Sequence, residues 1–239
     1  MASGSNVGTT GALATVRAAI LVLGTLLLSS TSSDARCADR PAAQVDWAGC
    51  KKSQLNLSGL TLDGAVMIKS DLTGTDFSDT SIKGADLSKS DVSNAWFVKA
   101  DLSKITLTGA FGSRTRFADS NLTGADLSKV EFSRVDLKSA RMEGANLAGA
   151  QLVRANLTGA KLKGASFVSG NLARAVLAGA DLMEVDFSGA YLYQTRFEKT
   201  DLSAAKGLTK EQMQIACGDA TTKLPAGLAV PSSWPCAAP

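Results

Sequence analysis

The sequence predicts a repeat solenoid, because apolar residues recur at every fifth position through most of the chain. Stepping by five gives thirty consecutive repeats without insertion over residues 55–204, and Gly112 is the one centre that is not large and apolar. A five-residue step rotates a helical position by about 140°, and on a strand it alternates between faces. The period therefore suits a chain that turns a corner in each repeat.

The positions around each centre carry their own patterns. Two residues before the centre lies a small or aliphatic residue, such as Ala145, and between them lies a polar residue that is often Asp or Asn, such as Asp86 or Asn146. Twelve repeats end in Gly, for example Gly159. Glycine supplies the left-handed backbone that tight turns require, so these positions are predicted corners.

These patterns resemble the pentapeptide-repeat family, whose motif is A-[DN]-L-x-x. The motif stands at 84–88 (GADLS), 144–148 (GANLA) and 155–159 (ANLTG). The resemblance implies an all-β fold, a right-handed quadrilateral parallel β-helix with four repeats per coil and about 7.5 coils in thirty repeats. It also implies that the centre and the small residue point inward, and that residues twenty apart stack in neighbouring coils.

The chain is predicted to comprise a signal peptide (1–35), an N-terminal cap (36–54), the β-helix (55–204) and a C-terminal cap and tail (205–239). In the first segment Arg17 precedes an eleven-residue apolar run at 18–28, and Ser33 and Ala35 suit signal cleavage. The run is short for a membrane span. We expect a periplasmic or secreted bacterial protein with no membrane span after cleavage; an uncleaved N-terminal membrane tether is the alternative.

The cysteines lie outside the repeats, with Cys37 and Cys50 before them and Cys217 and Cys236 after them. Four cysteines allow three pairings. The two ends of such a β-helix lie farther apart than a disulfide can span, so Cys37–Cys50 and Cys217–Cys236 are the predicted pairs. The chain has no histidine, which disfavours a zinc site.

The segments that flank the repeats are predicted to cover the apolar ends of the solenoid. Thr209 and Gln212 form a capping-box pattern that predicts a short helix, and Trp47 is expected to cover the first coil. The residues expected to cover the last coil are Leu208, Met213, Ile215 and Ala216, and the expected anchors of the tail are Leu224, Leu228 and Trp234.

In the interior, Phe77, Phe97 and Phe117 are twenty residues apart and are predicted to stack. Gly112 should leave a gap in its own column. The gap stays open unless Phe132 leans into it or Phe111 turns inward through a local bulge, and we predict strain or a bulge at 110–115.

On the exterior, four arginines end repeats in successive coils and should form a ladder on one face. We predict either a ridge that binds a polyanion or a solvated edge whose repulsion is partly relieved by Glu131 and Asp136. The ladder arginines are Arg114, Arg134, Arg154 and Arg174.

Large apolar side chains at outward positions are the second surface feature. Trp96 and Phe111 are predicted to lie near each other, as a partner site or packed under a local irregularity, and Tyr191 and Tyr193 lie near the C-terminal end. Trp96 and Phe111 are the candidate binding residues of this group.

Composition excludes several functions. Residues 55–204 contain 17 acidic and 17 basic residues, whereas a mimic of DNA needs a dense negative stripe. Without histidine, free cysteine or a deep cleft, we expect neither an enzyme nor a cofactor or metal.

The prediction is an exported, non-catalytic scaffold or protein-interaction module. The alternatives are a polyanion-binding rod and, as the resemblance implies, a DNA-mimic inhibitor of a type II topoisomerase. Expected partners are a protein or an anionic polymer, nucleic acid is disfavoured, and a homodimer stays open.

Overall fold

The structure is a computed structural model that describes residues 33–236. The predicted signal peptide lies almost entirely outside this range. Within it the chain has two helices, α1 (Ser33–Cys37) and α2 (Lys210–Ile215), and neither is long or apolar enough to cross a bilayer. Elsewhere the described chain forms isolated parallel bridges in place of longer strands.

All but two of these bridges join residues that are twenty apart; the exceptions, Arg196 with Cys217 and Asp201 with Lys223, lie at the C-terminal end and span 21 and 22 residues. The first bridge pairs Asp46 with Val66, and the same register continues until Asp186 pairs with Lys206. A twenty-residue register means four pentapeptides per coil, as the family resemblance implied. The register begins inside the segment 36–54, so Trp47 occupies a centre position. The number of coils stays a prediction.

Each repeat is bonded to both neighbouring coils and closes its own corner. The Gln151 N–H donates to the carbonyl of Val130 at 2.8 Å, in the preceding coil, and the Leu152 N–H donates to the carbonyl of Asn171 at 2.7 Å, in the following coil. The Ala155 N–H then donates back to the carbonyl of Leu152 at 3.0 Å. The backbone groups at this position are thereby paired within protein, as a buried backbone requires.

The Asp or Asn before each centre holds the following corner. The Asp126 carboxylate accepts the Ser128 N–H at 2.9 Å, and the Asn156 side chain accepts the Thr158 N–H at 3.1 Å. This is the local turn that Asp and Asn favour. The Asn146 amide also donates to Asp126 at 3.2 Å, between coils. The motif residue thus stabilises turns and coil stacking.

The interior is filled by the two inward positions of each repeat. The predicted phenylalanine column is confirmed: the ring centroids of Phe77 and Phe97 are 4.7 Å apart, and those of Phe97 and Phe117 are 4.9 Å apart. Their planes differ by no more than 5°. The lumen at these coils is therefore occupied by packed side chains.

Phe132 fills the space at Gly112. A β-carbon built on Gly112 would lie 2.5 Å from Phe132 Cε1 and 2.9 Å from Thr115 Oγ1. Phe111 stays outside, 47% exposed, and pairs with Asp91 and Glu131 in the regular register. The predicted bulge does not form, because a phenylalanine one coil away can fill the gap without moving the backbone.

Both predicted disulfides are present in the structure. Cys37 pairs with Cys50 and Cys217 with Cys236, each with Cα atoms 5.5 Å apart. At the N-terminal end Trp47 is fully buried, and the ammonium group of Lys52 lies 4.0 Å from the centre of its ring. These contacts tie the first disulfide loop to the first coil.

Helix α2 covers the other end of the coil. Thr209 and Gln212 form the predicted capping box, and the Gln212 amide also donates to the carbonyls of Phe187 and Ala190, at 3.0 and 2.8 Å. These carbonyls belong to the last coils. Met213 is buried beneath the helix, as predicted.

One predicted cover residue is wrong. Ile215 is 38% exposed, because two helical steps rotate it to the side opposite Met213. The other predicted cover residues and tail anchors contact the core, with Ala216 buried and Leu208, Leu224, Leu228 and Trp234 partly buried.

We predict that Gly112→Leu is strongly destabilising and that Phe132→Leu relieves the effect. The added side chain overlaps the Phe132 ring, and overpacking of this kind costs about 1–3 kcal/mol. In the double variant a leucine stands at both positions of the column, as in ordinary repeats. Urea unfolding midpoints of the two single variants and the double variant measure the coupling. Additive effects would contradict the role given to Phe132.

A second prediction concerns acid unfolding of the C-terminal cap. The Thr221 hydroxyl and N–H, the Thr222 hydroxyl and the Lys199 N–H all donate to the Asp219 carboxylate. The Thr221 hydroxyl contributes most, and these bonds outweigh desolvation and lower the pKa of Asp219 from 3.8 to about 2.

A carboxyl group whose pKa is lower in the folded protein than in the unfolded chain stabilises the fold at every pH above the pKa of the unfolded chain. This stabilisation is lost as the pH falls from that value through the pKa of the folded protein. Wild type should therefore exceed Asp219→Asn in stability at neutral pH, and the difference should shrink between pH 3.8 and about 2. Thermal unfolding of both proteins across this window measures it. A difference that does not change with pH would show that Asp219 does not contribute as a carboxylate.

Candidate functional site

The four ladder arginines lie on one face, at the last position of their repeats. Arg114, Arg134, Arg154 and Arg174 have φ values of 57°, 54°, 60° and 58°, so each occupies a left-handed corner. All four side chains are exposed. Successive rungs are one coil apart, roughly 4.8 Å by the spacing of neighbouring strands. The predicted ladder is therefore present.

The ladder arginines have no acidic partner in the part of the chain that the structure describes. None of the five salt bridges there includes a ladder arginine. Glu131 and Asp136, which were expected to relieve the repulsion, form no ion pair with the ladder. The Asp136 carboxylate instead accepts the Lys138 N–H and the Asn156 amide, both at 3.1 Å. The positive charge of the ladder is left open to a ligand.

A shallow groove runs along the ladder. Its first section is a cavity of about 360 Å³ beside Phe111 that Glu131 also lines, and its second, of about 470 Å³, has the three later arginines of the ladder along its wall; Arg114 lines neither section. The two sections share a floor of small side chains, Ser133 and Val153. We call these two sections, from Phe111 to Tyr193, the arginine groove.

A larger cavity of about 750 Å³ continues from the arginine groove at the C-terminal cap. It shares Arg154, Arg174 and Tyr193 with the groove. Its far wall is formed by α2 and the second disulfide, through Ile215 and Cys236. We call it the cap cavity.

Trp96 and Phe111 lie in different columns of the coil. The backbone of Trp96 pairs with Arg116, whose guanidinium lies 5.2 Å from the indole ring centre, whereas Phe111 pairs with Asp91 and Glu131. Fifteen residues separate Trp96 from Phe111, which is three corners of a four-cornered coil, so they face different sides. Only Phe111 lines the arginine groove.

The tyrosines near the cap form a separate aromatic pair. Tyr191 and Tyr193 are 51% and 38% exposed, and their rings stack with centroids 6.3 Å apart. The Arg174 guanidinium lies 6.0 Å from the Tyr193 ring centre and donates to Gln194 at 3.0 Å. Sequence reasoning did not assign Tyr193 to the groove. The twenty-residue register could have placed Tyr193 there, since Tyr193 lies forty residues beyond Val153 and therefore in the same column.

Residues that could support metal binding do not cluster. No group of three or more Cys, Asp or Glu side chains in the described residues is placed to hold a metal ion. Both disulfides consume the cysteines of this range. The chemistry available at the arginine groove is therefore the recognition of anions by guanidinium groups, with aromatic rings at its two ends.

Comparisons with known proteins identify the repeat. The family model described as pentapeptide repeats (8 copies) matches residues 56–94, 95–134, 131–167 and 171–206. No curated protein sequence matches the chain.

The chain is also similar to solved structures. HetL, a pentapeptide repeat protein involved in heterocyst differentiation regulation from the cyanobacterium Nostoc sp. strain PCC 7120, is 26% identical with a TM-score of 0.49, over 80% of this chain and 93% of that chain. QnrB1, a plasmid-mediated fluoroquinolone resistance protein, is 18% identical with a TM-score of 0.45, over 77% and 92%. A pentapeptide repeat protein from the Arabidopsis thaliana thylakoid lumen is 26% identical with a TM-score of 0.21, over 56% and 70%. Because the family model matches more than half of its residues, the chain belongs to the pentapeptide-repeat family.

Proposed function

We propose that this protein is an exported, non-catalytic binding scaffold of the bacterial envelope that holds a linear anionic polymer along the arginine groove. The observation that carries the proposal is the ladder itself, with four exposed guanidinium groups in successive coils and no ion pair to any described residue. An anionic polymer supplies charges in series, as the ladder does.

The energetics favour an occupied ladder. Like charges about one strand spacing apart repel one another within a Debye length. A bound polyanion removes this repulsion and releases its own condensed counterions. The coil backbone fixes the corner from which each arginine projects, so binding must order the side chains but not the backbone. A phosphorylated or sulfated polymer suits the guanidinium fork, which binds such oxygens in pairs.

The compartment follows from the cysteines. Disulfides persist in oxidising environments, and the described residues contain two of them. This supports a periplasmic or secreted location. Pentapeptide-repeat proteins are generally non-catalytic, which supports a binding role. The alternative of a DNA mimic requires an acidic face, whereas the groove described here has arginines along its wall.

The proposal predicts that Arg114→Glu/Arg134→Glu weakens salt-dependent binding to heparin, used as the probe polyanion. Losing two contacts should reduce the slope of log Kd against log salt by roughly two, about one per contact. Lys69→Glu/Lys89→Glu is the matched control. These lysines have the same charge, exposure and left-handed corner position, with φ of 56° and 58°, but lie in another column.

The control should keep the wild-type slope. Equal losses in both double variants would show that heparin responds to net charge alone, and an unchanged slope in the ladder variant would overturn the proposal. If the ladder variant instead loses a protein captured from the same compartment while heparin binding stays normal, the partner is a protein and the polymer is excluded.

A further inference from the structure

The cap cavity has the size of a small-molecule site. Its volume of about 750 Å³ lies within the range of about 300–1,000 Å³ that is usual for ligand pockets. It lies between the last coils and the tail that the Cys217–Cys236 disulfide holds against α2. This cavity is more enclosed than the arginine groove, with the last coils on one side and α2 and the disulfide on another.

One wall of the cap cavity is positively charged. Arg154 has no ion pair, and Arg174 uses one of its five N–H groups, on the neutral side chain of Gln194. Arg196 also lines the cavity, but Glu198 neutralises it at 2.7 Å. None of the described residues that line the cavity is acidic. Two guanidinium groups are therefore free to bind one anionic group.

The opposite wall presents an apolar side chain, Ile215, beside the polar Gln214 and Ser233. Ile215 is 38% exposed and faces this space, while Met213 on the other side of α2 is buried in the coil. The Cys217–Cys236 disulfide extends the apolar surface of this wall, and on the coil side Val176 and the exposed ring of Tyr193 add to it. A large aliphatic side chain exposed in a cavity favours an apolar ligand, because covering it removes apolar area from water.

We propose that the cap cavity binds a small amphiphilic anion, with a compact aromatic or branched aliphatic body and a single carboxylate, sulfonate or phosphate group. The anionic group lies on Arg154 and Arg174, and the body packs between Tyr193 and Ile215. The site shares two arginines with the proposed polymer site, but it needs no polymer and no other ladder residue.

The test measures binding of 1-naphthalenesulfonate by isothermal titration calorimetry. Arg154→Gln removes one charge-assisted contact and should weaken binding about tenfold. Ile215→Asp places a carboxylate in the opposite wall and should weaken binding by at least as much. The uncharged analogue 1-naphthalenemethanol should bind wild type at least about tenfold more weakly than the sulfonate, because it cannot pair with the guanidinium groups.

Two further variants separate the cavity from the fold and from the groove. Ile215→Ala, which keeps the helix, should weaken binding less than Ile215→Asp, with unchanged circular dichroism in both. Arg114→Gln should bind the sulfonate as wild type does, because Arg114 does not line the cap cavity and lies two coils from Arg154. Equal affinity of wild type, Arg154→Gln and Ile215→Asp would overturn the cap-cavity site, as would equal binding of the uncharged analogue.

The two proposals fail separately. Loss of the ladder effect on heparin with normal sulfonate binding overturns only the polymer site. If the ladder variant reduces the salt slope of heparin binding but 1-naphthalenesulfonate does not bind specifically, only the proposed cap-cavity site is overturned.

Discussion

Backbone pairing between residues twenty apart is the constraint on which the rest of the structure depends. It holds without insertion from Asp46 to Lys206, and it gives every repeat position one fixed direction. An inserted residue would shift all later side chains out of their columns, in the way that a register slip reverses the faces of a strand. The stacked phenylalanines and the arginine ladder are both consequences of this pairing, one inside the coil and the other outside.

The same pairing leaves backbone groups without a partner at each end of the coil, and residues of the caps form hydrogen bonds with them. At the C-terminal end the Gln212 side chain donates to the carbonyl of Ala190, for which no further coil supplies an N–H group, and to the carbonyl of Phe187, which also accepts the Ala190 N–H. Trp234 then donates to the carbonyl of Ala216 at 2.8 Å and lies over Gly218, where any side chain would overlap its ring. Covering the core this way turns Ile215 outward, so the geometry of the cap also places this apolar side chain in the wall of the cap cavity.

The features that depend on the five-residue period could be predicted from the sequence. The inward columns, the disulfide pairs and the capping box at Thr209 follow from spacing and local chemistry, and counting by twenty would also have separated Trp96 from Phe111. The filling of the Gly112 gap could not be decided, because a bulge and a leaning Phe132 fit the same letters and differ only in packing. The cap cavity could not be predicted from the sequence either. The tail that brings Cys236 opposite Arg154 has no repeat, so only tertiary contacts determine its path.

The position of the cap cavity at the end of the ladder couples the two proposed sites. Arg154 and Arg174 line both, so a small anion bound there occupies guanidinium groups that a polymer would otherwise contact. Arg114 and Arg134 stay available, and the polymer therefore loses part of its affinity and not all of it. Linkage makes this effect reciprocal, since a bound polymer must lower the affinity for the small anion by the same factor. A rigid coil can couple the sites in this way without a change of conformation, because the shared arginines alone carry the interaction.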